Sequence, residues 1–483
     1  MRLSKLLKVS GFDPALDTNV TGITADSRDV KPGYLFAALS GTDADGWSYV
    51  GSAIEKGAIA ILTSSAHSRD DIPVYCHAVT DPRRELAQLA DRFEGAKPAV
   101  VAAITGTNGK TSVAHFTRQI WQQMDVTAAS IGTLGVVTNE GTEYLNYTTP
   151  DPVLLHKILR QLKESDTDHV VLEASSHGLD QRRVDSAGIS IAAFTNFTRD
   201  HMDYHGGADA YLSAKLGLVT RVVGAGGTAV LNADSDVFDK FDAAAKARGI
   251  TVISYGHAGA DLRLITSKSH AHGQLLKLEI QGRDVCLDLP LAGEFQAMNV
   301  LCALGIVMAA GADVTRALGT LAKLESVPGR MELAAKLSNG AGVYVDFAHT
   351  PDALETVLRA VRPHTEGRII TVFGCGGDRD KGKRPQMGKI ADALSDIAIV
   401  TDDNPRTEDA QTIRSEVKAA CAGALEVGDR RDAIRRAIEL SESGDVIVVA
   451  GKGHESGQII GDQVIPFDDR LVVRELVSER EAG

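Results

Sequence analysis

The sequence predicts an α/β protein of three domains in which parallel sheets are covered by helices. Its 483 residues suffice for about three domains of about 150 residues each. Short apolar segments alternate with helical patterns through the second and third parts of the chain, as in parallel sheets with helical crossovers. The segment Val100–Ile104 precedes a glycine-containing turn and a helical pattern, an arrangement typical of a phosphate-binding loop.

The amino-acid composition indicates a globular protein without fibrous or disordered segments. The formal net charge of -13 disfavours a nucleic-acid partner, because binding a phosphate backbone needs a basic surface. The five cysteines are widely spaced and form no CxxC pair, as expected of reduced cytosolic thiols. The sequence shows neither a signal peptide nor an apolar run of about eighteen residues, so we expect a cytoplasmic protein without a membrane partner.

The first domain is predicted over residues 1–97 and carries no phosphate-binding loop. Its predicted elements are a strand after the polar turn at residues 24–36, a helix at 50–56, a strand at 58–62 and an amphipathic helix at 81–93. Pro82 suits the first turn of that last helix, because the N–H that proline lacks would be unpaired there anyway. Residues 95–98 are typical of a linker.

The second domain is predicted over residues 98–326 and contains the phosphate-binding loop. The alternation of its patterns predicts a mostly parallel sheet with ligands at the carboxyl ends of the strands. Strands are predicted at residues 100–104, 168–174, 189–194 and 228–231, short antiparallel strands at 257–290, and helices at 110–124, after Pro152 and at 294–310.

The third domain is predicted over residues 327–483 as a second doubly wound unit without a phosphate-binding loop. Its buried strands are predicted at residues 343–347, 368–373, 396–400 and 445–450. Helical patterns separate these strands, and the chain contains no internal repeat.

The phosphate-binding loop is the most specific motif in the sequence. Backbone N–H groups at a helix N-terminus can surround phosphate oxygens, Lys110 can reach the terminal phosphates, and the Thr111 hydroxyl can bind Mg²⁺. The loop is shorter than the usual GxxxxGK[ST] pattern, because Ile104 occupies the position of the first glycine. A glycine-rich turn with an unrelated lysine is the alternative. The loop residues are Gly106, Thr107, Asn108, Gly109, Lys110, Thr111 and Ser112.

Two further segments of the second domain suit a magnesium ion. Glu173 ends a predicted strand, where a Mg²⁺ ligand is expected beside a phosphate-binding loop, although a solvent-facing or capping glutamate is the alternative. His201 and His205 lie in a loop-like stretch, and the following Gly206 argues against the helix that a histidine-based metal site would need. His201 is therefore either a neighbour of magnesium or an ordinary surface histidine. Lys215 lies in a helical pattern and, taken alone, is expected to be a solvated charge.

In the third domain, three charged loops follow successive strands. They span residues 374–384, 401–408 and 451–455, and they carry Arg379, Asn404, Arg406 and Glu455. Such a rim suits a zwitterionic substrate, because arginine pairs with a carboxylate and a carboxylate receives an ammonium group. Each loop by itself could be ordinary turn chemistry.

Seven motifs in this order resemble the Mur ligase family over nearly the whole chain: TGTNGKT, LEASSHGL, RDHMDYHG, VDFAHTPD, GCGGDRDKGKRP, DDNPR and GKGHE. The resemblance implies a central ATP-binding domain between an N-terminal domain for a UDP-substrate and a C-terminal Rossmann-like domain for an amino acid. It implies an ATP-dependent amide ligase of cytoplasmic peptidoglycan precursor synthesis that works through an acyl phosphate. Mg²⁺, a monomeric state and a CO₂-derived carbamate on Lys215 are also implied.

The resemblance implies roles for individual residues of this sequence. Lys110, Lys215, Glu173 and His201 are implied to be catalytic, and Thr111, Glu173, His201 and carbamylated Lys215 are implied to bind magnesium. Asn299, Arg330, Asp346 and His349 are implied to complete the ATP site. The implied contacts of UDP-MurNAc-L-Ala-D-Glu are Ser27, Arg28, Thr148, Thr149, Ser175, Gln181 and Arg183.

The resemblance also implies meso-2,6-diaminopimelate as the third substrate. Family members that add it carry DNPR, whose arginine binds the distal carboxylate, whereas those that add L-lysine lack this arginine. The implied contacts are Arg379, Asp403, Asn404, Pro405, Arg406, Gly451 and Glu455. An L-lysine-adding ligase, a ligase similar to folylpolyglutamate synthase and a non-catalytic nucleotide switch are the alternatives.

Three residues depart from the family pattern. Trp47 occupies a position where histidine is common, Gln296 replaces the usual asparagine, and Gly457 replaces a frequent tyrosine. We expect none of these departures to change the core chemistry.

Overall fold

The computed structural model describes residues 1–9, 12–41, 45–67, 72–198, 202–270 and 273–482. The chain divides into two compact units, one of residues 1–261 with 302–318 and the other of residues 262–301 with 319–483. The domain boundaries predicted after residues 97 and 326 stay predictions. Within the described ranges, no helix combines the length and the apolar character that crossing a bilayer requires.

The first unit begins with a parallel sheet in the order β1-β2-β3-β4. The helix α3 starts at Asp81, whose side chain accepts a hydrogen bond from the Arg84 N–H, and Pro82 occupies its first turn as predicted. Its elements are α1 (Leu3–Leu7), β1 (Gly22–Thr24), β2 (Tyr34–Ala37), α2 (Val50–Glu55), β3 (Ala60–Ser64), β4 (Tyr75–Val79) and α3 (Pro82–Glu94).

A larger sheet follows in the same unit, in the order β12-β11-β10-β5-β9-β6-β7-β8. Its strands pair in parallel from β12 to β6, and β7 and β8 add an antiparallel edge. The carboxyl ends of β10, β5 and β9 therefore lie side by side, where ligands bind in such sheets. The elements are β5 (Val100–Thr105), α4 (Lys110–Gln123), β6 (Ala128–Gly132), β7 (Gly135–Val137), β8 (Thr142–Glu143), α5 (Pro152–Glu164), β9 (His169–Glu173), α6 (Ser176–Asp180), β10 (Ile191–Phe194), α7 (Met202–His205), α8 (Ala208–Gly217), β11 (Thr228–Asn232), α9 (Phe238–Ala247) and β12 (Thr251–Gly256).

The chain continues with three antiparallel strands and one helix, as the sequence predicts for residues 257–310, and with a further helix that was not predicted. They are β13 (Leu262–His270), β14 (Gly273–Ile280), β15 (Arg283–Leu289), α10 (Glu294–Ala309) and α11 (Val314–Leu321).

The second unit ends in a six-stranded sheet in the order β16-β17-β21-β18-β19-β20, parallel except for β16. Helices α12, α13 and α14 pack in one hydrophobic cluster, and α15 and α16 pack in another, so the predicted doubly wound arrangement is confirmed. The elements are β16 (Glu332–Lys336), β17 (Gly342–Asp346), α12 (Pro351–Val361), β18 (Ile369–Phe373), α13 (Lys383–Leu394), β19 (Ile397–Val400), α14 (Ala410–Lys418), β20 (Leu425–Glu426), α15 (Arg430–Leu440), β21 (Val446–Ala450), β22 (Gly457–Ile460), β23 (Gln463–Pro466) and α16 (Asp469–Ala482).

Candidate active site

The phosphate-binding loop connects β5 to the N-terminus of α4. A Cβ atom at Gly106, where φ is 151°, would lie 1.9 Å from Thr195 Oγ1. Only glycine therefore fits at this position of the loop. Gly109 adopts φ 85° and caps α4. The loop thus brings its backbone to a helix N-terminus, where the partial positive charge of the helix dipole favours an anion.

Residues that follow β10 hold this loop in place. Thr195 Oγ1 donates to the Asn108 carbonyl at 2.6 Å, and Asn196 Oδ1 accepts from the Asn108 N–H at 2.9 Å. Thr107 Oγ1 accepts from the Thr198 N–H at 3.0 Å. These contacts from the residues that follow β10 hold the loop in its conformation.

Two lysines converge on the carbonyl group of Gly106. Lys110 Nζ donates to the carbonyls of Gly106 and Thr107, each at 2.8 Å. Lys215 Nζ donates to the Gly106 carbonyl at 2.7 Å and lies 4.4 Å from the centre of the Tyr211 ring. Lys215 is only 1% exposed, so the expectation of a solvated charge is wrong, because α8 directs this side chain at the loop.

The Glu173 carboxylate lies at the carboxyl end of β9 and is 2% exposed. It accepts hydrogen bonds from Thr111 Oγ1 at 2.9 Å, from the Thr133 N–H at 2.8 Å and from Thr133 Oγ1 at 3.2 Å. A Cβ at Gly132 would lie 2.0 Å from Glu173 Oε1, so β6 makes room for this carboxylate. The alternative of a solvent-facing Glu173 is wrong.

The Thr111 hydroxyl and the Glu173 carboxylate fit a magnesium ion. Both are hard oxygen donors, which Mg²⁺ prefers, and the ion usually keeps several waters as well. A small cavity lined by Thr111, Glu173, Ser130 and Gly132 opens beside them. His201 lies outside the described residues.

The stretch after β10 is not entirely a loop. α7 forms a four-residue helix that ends before Gly206, whose φ is 72°. His205 packs on the rings of His177 and Tyr211, with ring centres 5.6 and 5.3 Å apart. In the part of the chain that the structure describes, no cluster of three or more His, Cys, Asp or Glu side chains could hold a metal ion. A histidine-based transition-metal site therefore has no support there.

Five of the residues implied for the UDP-substrate lie in one hydrogen-bonded network. Thr149 Oγ1 donates to the Glu173 carbonyl at 2.8 Å and shares a hydroxyl contact of 3.0 Å with Ser175 Oγ. Arg183 donates to the Thr149 carbonyl at 2.7 Å and to Gln181 Oε1 at 2.8 Å. Burial lowers the pKa of the Arg183 guanidinium. The fifth residue, Thr148, shares a hydroxyl contact of 3.1 Å with Thr133.

Ser27 and Arg28 belong to a separate turn after β1. Arg28 is highly exposed and pairs with Asp26 at 2.6 Å. Hydrogen bonds from Arg28 lower the pKa of Asp26 to about 2. The Ser27 carbonyl accepts from Lys56 Nζ at 2.8 Å, so this turn is tied to the end of α2.

The second unit brings together the residues implied for the nucleotide. Asn299 Nδ2 donates to Gln296 Oε1 at 3.0 Å, and Gln296 Nε2 donates to the Arg330 carbonyl at 3.5 Å. The Arg330 guanidinium lies 4.2 Å from the centre of the Phe347 ring. Gln296, which departs from the family pattern, thus links two of the implied residues.

Asp346 ends β17 and accepts backbone N–H bonds from Met331 at 2.7 Å and Ala348 at 2.8 Å. Burial raises the pKa of this carboxyl group, against the lowering effect of Arg330 and the two N–H bonds. Burial disfavours the charged form of His349 as well, which for a histidine lowers the pKa. The His349 carbonyl accepts from Lys383 at 2.9 Å, so the loop after β18 is attached to the end of β17.

The loops after β19 and β21 meet side chain to side chain. Asn404 Nδ2 donates to Glu455 Oε2 at 3.0 Å. Arg406 adopts φ 52° and donates to the Gly377 carbonyl at 2.8 Å. Its backbone N–H donates to the Ile459 carbonyl. The structure thereby joins the three predicted loops into one rim, except for the exposed Arg379, which donates to the carbonyl of its neighbour Asp378.

Three family models match the chain. They are described as Mur ligase family, catalytic domain (residues 19–93), Mur ligase middle domain (residues 104–307) and Mur ligase, glutamate ligase domain (residues 329–453). A UDP-N-acetylmuramoyl-L-alanyl-D-glutamate--2,6-diaminopimelate ligase from Agrobacterium fabrum is 51% identical over 464 residues, covering 96% of this chain and 94% of its own. The chain belongs to the Mur ligase family.

A protein of the same name from Caulobacter vibrioides is 50% identical to this Mur ligase over 461 residues, covering 94% of this chain and 95% of its own. A solved structure titled as a UDP-N-acetylmuramoyl-L-alanyl-D-glutamate--2,6-diaminopimelate ligase aligns with a TM-score of 0.76 at 30% identity. That alignment covers 100% of this chain and 99% of the other. The predicted α/β Mur ligase fold is confirmed.

Sequence reasoning missed several residues of this Mur ligase site. Thr133 and Gly132 shape the surroundings of Glu173, but no local pattern marks them, because their role depends on β6 lying beside β9. Lys452 stands inside the GKGHE motif, which is a usable signal, whereas Asn196 lies three residues before RDHMDYHG. Trp47 stacks on His67, with ring centres 4.5 Å apart.

Proposed function

We propose that this Mur ligase joins meso-2,6-diaminopimelate to UDP-N-acetylmuramoyl-L-alanyl-D-glutamate with ATP as co-substrate. Relatives that carry the name of this ligase, at 51% and 50% identity over nearly the whole chain, support the proposal. The observation that carries the choice of amino acid is the rim of the second unit, where Asn404 joins Glu455 beside Arg406.

The proposed reaction has two steps. The D-glutamate γ-carboxylate of the UDP-substrate attacks the γ-phosphorus of ATP, and the bond to the β–γ bridging oxygen breaks to release ADP. The amine of diaminopimelate then attacks the acyl carbon of the resulting acyl phosphate. The amide forms as inorganic phosphate leaves, and the amine proton passes to solvent.

Lys110 and the loop backbone bind the phosphates of ATP in this proposal. The Lys110 ammonium lies over the loop that forms the N-terminus of α4, so a small rotation of its side chain exchanges carbonyl oxygens for phosphate oxygens. Charge on the transferring phosphoryl group is offset by a fixed cation, which is the main catalytic contribution in reactions of this class.

Mg²⁺, when bound, supplies positive charge to the phosphate oxygens. Thr111 and Glu173 would hold it, together with His201 and the carbamate on Lys215. Lys215 suits carbamylation because it is buried against the loop, and a carbamate nitrogen keeps one N–H to donate to the Gly106 carbonyl. The ammonium loses two protons as its nitrogen bonds to carbon dioxide, and the carbamate would offer an anionic oxygen ligand in place of the cation.

The network of Thr149, Ser175 and Arg183 binds the UDP-substrate in this proposal, with Thr148, Gln181, Ser27 and Arg28. Its support is the chain of hydrogen bonds that ends on the Glu173 backbone. Asn299, Arg330, Asp346 and His349 serve the nucleotide. The monomeric state and the cytoplasmic location also belong to the proposal.

On the rim, we assign Glu455 to the ammonium of diaminopimelate and Arg406 to its distal carboxylate. The Glu455 side chain is 37% exposed, so a substrate can reach it from solvent. Arg406 offers a planar guanidinium that suits bidentate pairing with a carboxylate. Arg379, Asp403, Pro405 and Gly451 complete the proposed contacts.

Phosphate release by the purified protein tests the proposal. ATP, Mg²⁺ and UDP-MurNAc-L-Ala-D-Glu are supplied, with meso-diaminopimelate or L-lysine in parallel reactions. We expect turnover with diaminopimelate and almost none with lysine. Equal turnover would remove the role given to Arg406, and phosphate release without the UDP-substrate would indicate a nucleotide switch instead.

A further inference from the structure

Lys452 is a fully buried lysine beneath the rim. It follows β21, and its side chain is 0% exposed. Its Nζ donates to Asn404 Oδ1 at 3.0 Å and lies 3.3 Å from Glu455 Oε2 and 3.8 Å from Asp403 Oδ1. Lysine is almost never fully buried unless it is paired, and all three partners of this one belong to the proposed diaminopimelate site.

The contacts of Lys452 fix the orientation of the Asn404 amide. Asn404 Oδ1 accepts from Lys452 Nζ and from the Ile459 N–H at 2.9 Å, while its Nδ2 donates to Glu455 Oε2. A flipped amide would direct its NH₂ group at two donors and lose both bonds. Lys452 therefore keeps the donor end of Asn404 towards Glu455.

Lys452 also contributes positive charge to the site. A neighbouring cation, Arg430, is occupied by a bidentate pair with Asp469 at 2.8 and 2.7 Å. Lys452 Nζ lies within 4 Å of the carboxylates of both Asp403 and Glu455, and Arg430 also acts electrostatically on both. Asp403 Oδ1 is buried and accepts no hydrogen bond from the described residues.

We propose that Lys452 is a positioning residue for diaminopimelate, which orients Asn404 and Glu455 through its contacts with both. Because Lys452 is fully buried, it acts through these neighbours without touching the substrate. This inference rests on the proposed function.

The test compares Lys452→Met with Arg368→Met in the full chain. The partly exposed Arg368 pairs with the buried Asp445 at 2.7 Å at the amino ends of β18 and β21, so its loss removes an ion pair at the end of the strands opposite the rim. For Lys452→Met we expect a KM for diaminopimelate raised about 30-fold, the effect of losing a charged hydrogen bond. The KM values for ATP and the UDP-substrate stay near wild type, and Arg368→Met lowers only the unfolding temperature.

A double variant separates positioning from general destabilisation. If Lys452 acts through Glu455, adding Lys452→Met to Glu455→Gln raises the KM for diaminopimelate little beyond Glu455→Gln alone. Effects that simply multiply would contradict the inference. Lys452→Gln replaces the methionine variant if that variant does not fold. It keeps a hydrogen-bond donor but removes the charge, so its KM for diaminopimelate is expected between those of wild type and Lys452→Met.

The outcomes distinguish this inference from the proposed function. Wild-type turnover with an unchanged KM for diaminopimelate in Lys452→Met overturns the inference and leaves the function. An equal rise in KM for all three substrates, or the same rise in Arg368→Met, also overturns it. A wild-type chain that does not turn over diaminopimelate overturns the proposed function, and this inference with it.

Discussion

The phosphate loop after β5 and the rim after β18, β19 and β21 are held by different kinds of contact. In the loop, Lys110 and Lys215 donate to backbone carbonyls, and residues after β10 hold the loop through its own backbone. In the rim, Asn404, Glu455 and Lys452 hold one another through their side chains. The contacts that hold the loop therefore end mainly on its backbone, whereas a charged side-chain network lies at the centre of the rim.

The loop and the rim should therefore differ in the substitutions that they tolerate. Backbone cradles recognise the phosphate group, which every ATP-using reaction shares, and tolerate few changes because glycines such as Gly106 have no room for a side chain. Side-chain networks can be altered residue by residue, which suits the choice among amino acids. We therefore expect loop variants to abolish turnover and rim variants to change substrate preference.

The largest effect is expected from Lys110→Met. Loss of the cation that faces the transferring phosphoryl group should lower kcat/KM about 10³-fold, as for other charge-stabilising groups in phosphoryl transfer. Phosphate release measures this loss. Lys246→Met is the matched control, because Lys246 is an exposed lysine paired with Asp242 on α9, and it should keep wild-type rates. A Lys110→Met enzyme at half the wild-type rate would contradict the assignment.

Glu173→Gln should weaken the binding of Mg²⁺ rather than destabilise the fold. The amide can still accept from Thr111 and Thr133 but lacks the charge that Mg²⁺ requires, so half-maximal turnover should need about 100-fold more Mg²⁺. A magnesium titration of the initial rate checks this. Glu164→Gln, at the exposed end of α5, serves as the control, and an unshifted titration in Glu173→Gln would remove Glu173 from the metal site.

Arg406→Met should weaken only the binding of the amino acid substrate. We expect kcat/KM for diaminopimelate to fall about 30-fold, the cost of one charged hydrogen bond, with unchanged KM for ATP. Steady-state kinetics with each substrate varied in turn measure the split. Arg359→Met, at an exposed arginine on α12, should change nothing. A matching rise in the KM for ATP would show that the rim is not a separate recognition element.

Glu408→Gln should have the smallest effect, and one that depends on pH. Hydrogen bonds from the buried Arg384 and the Asp378 N–H lower the pKa of Glu408 from 4.5 to about 2. A lowered pKa stabilises the fold above pH 4.5, and this contribution is lost as the pH falls towards 2.

Urea unfolding of wild type and Glu408→Gln from pH 7 to pH 3 tests this coupling. The stability difference between the two proteins should be full at pH 7 and shrink steadily below pH 4.5. The exposed Glu439 on α15 provides the control substitution. A stability difference that grows as the pH falls would contradict the lowered pKa of Glu408.

Much of the fold follows from the sequence because its signals are local. The apolar runs that became β5, β18 and β21 are short and bounded by turns, which predicts buried parallel strands. The phosphate-binding loop was found because its glycines, lysine and threonine are contiguous. Both predictions needed only neighbouring residues.

The features that could not be predicted from the sequence depend on contacts between residues far apart in the chain. Burial of Lys215 requires knowing which side of α8 meets the loop, and α7 is too short for a helical period to be recognised. The contact between Asn404 and Glu455 joins residues 51 positions apart. Lys452 stands in a recognised motif, but only its burial reveals that it holds both of them.

Positional isotope exchange in ATP tests most directly whether the loop and the rim act separately. ATP labelled with ¹⁸O in the β–γ bridge is incubated with the UDP-substrate, without amino acid, and label movement to non-bridging positions reports reversible phosphoryl transfer. We expect wild type and Arg406→Met to exchange at similar rates, while Lys110→Met does not exchange. Loss of exchange in Arg406→Met would contradict the account, because phosphoryl transfer would then depend on the rim.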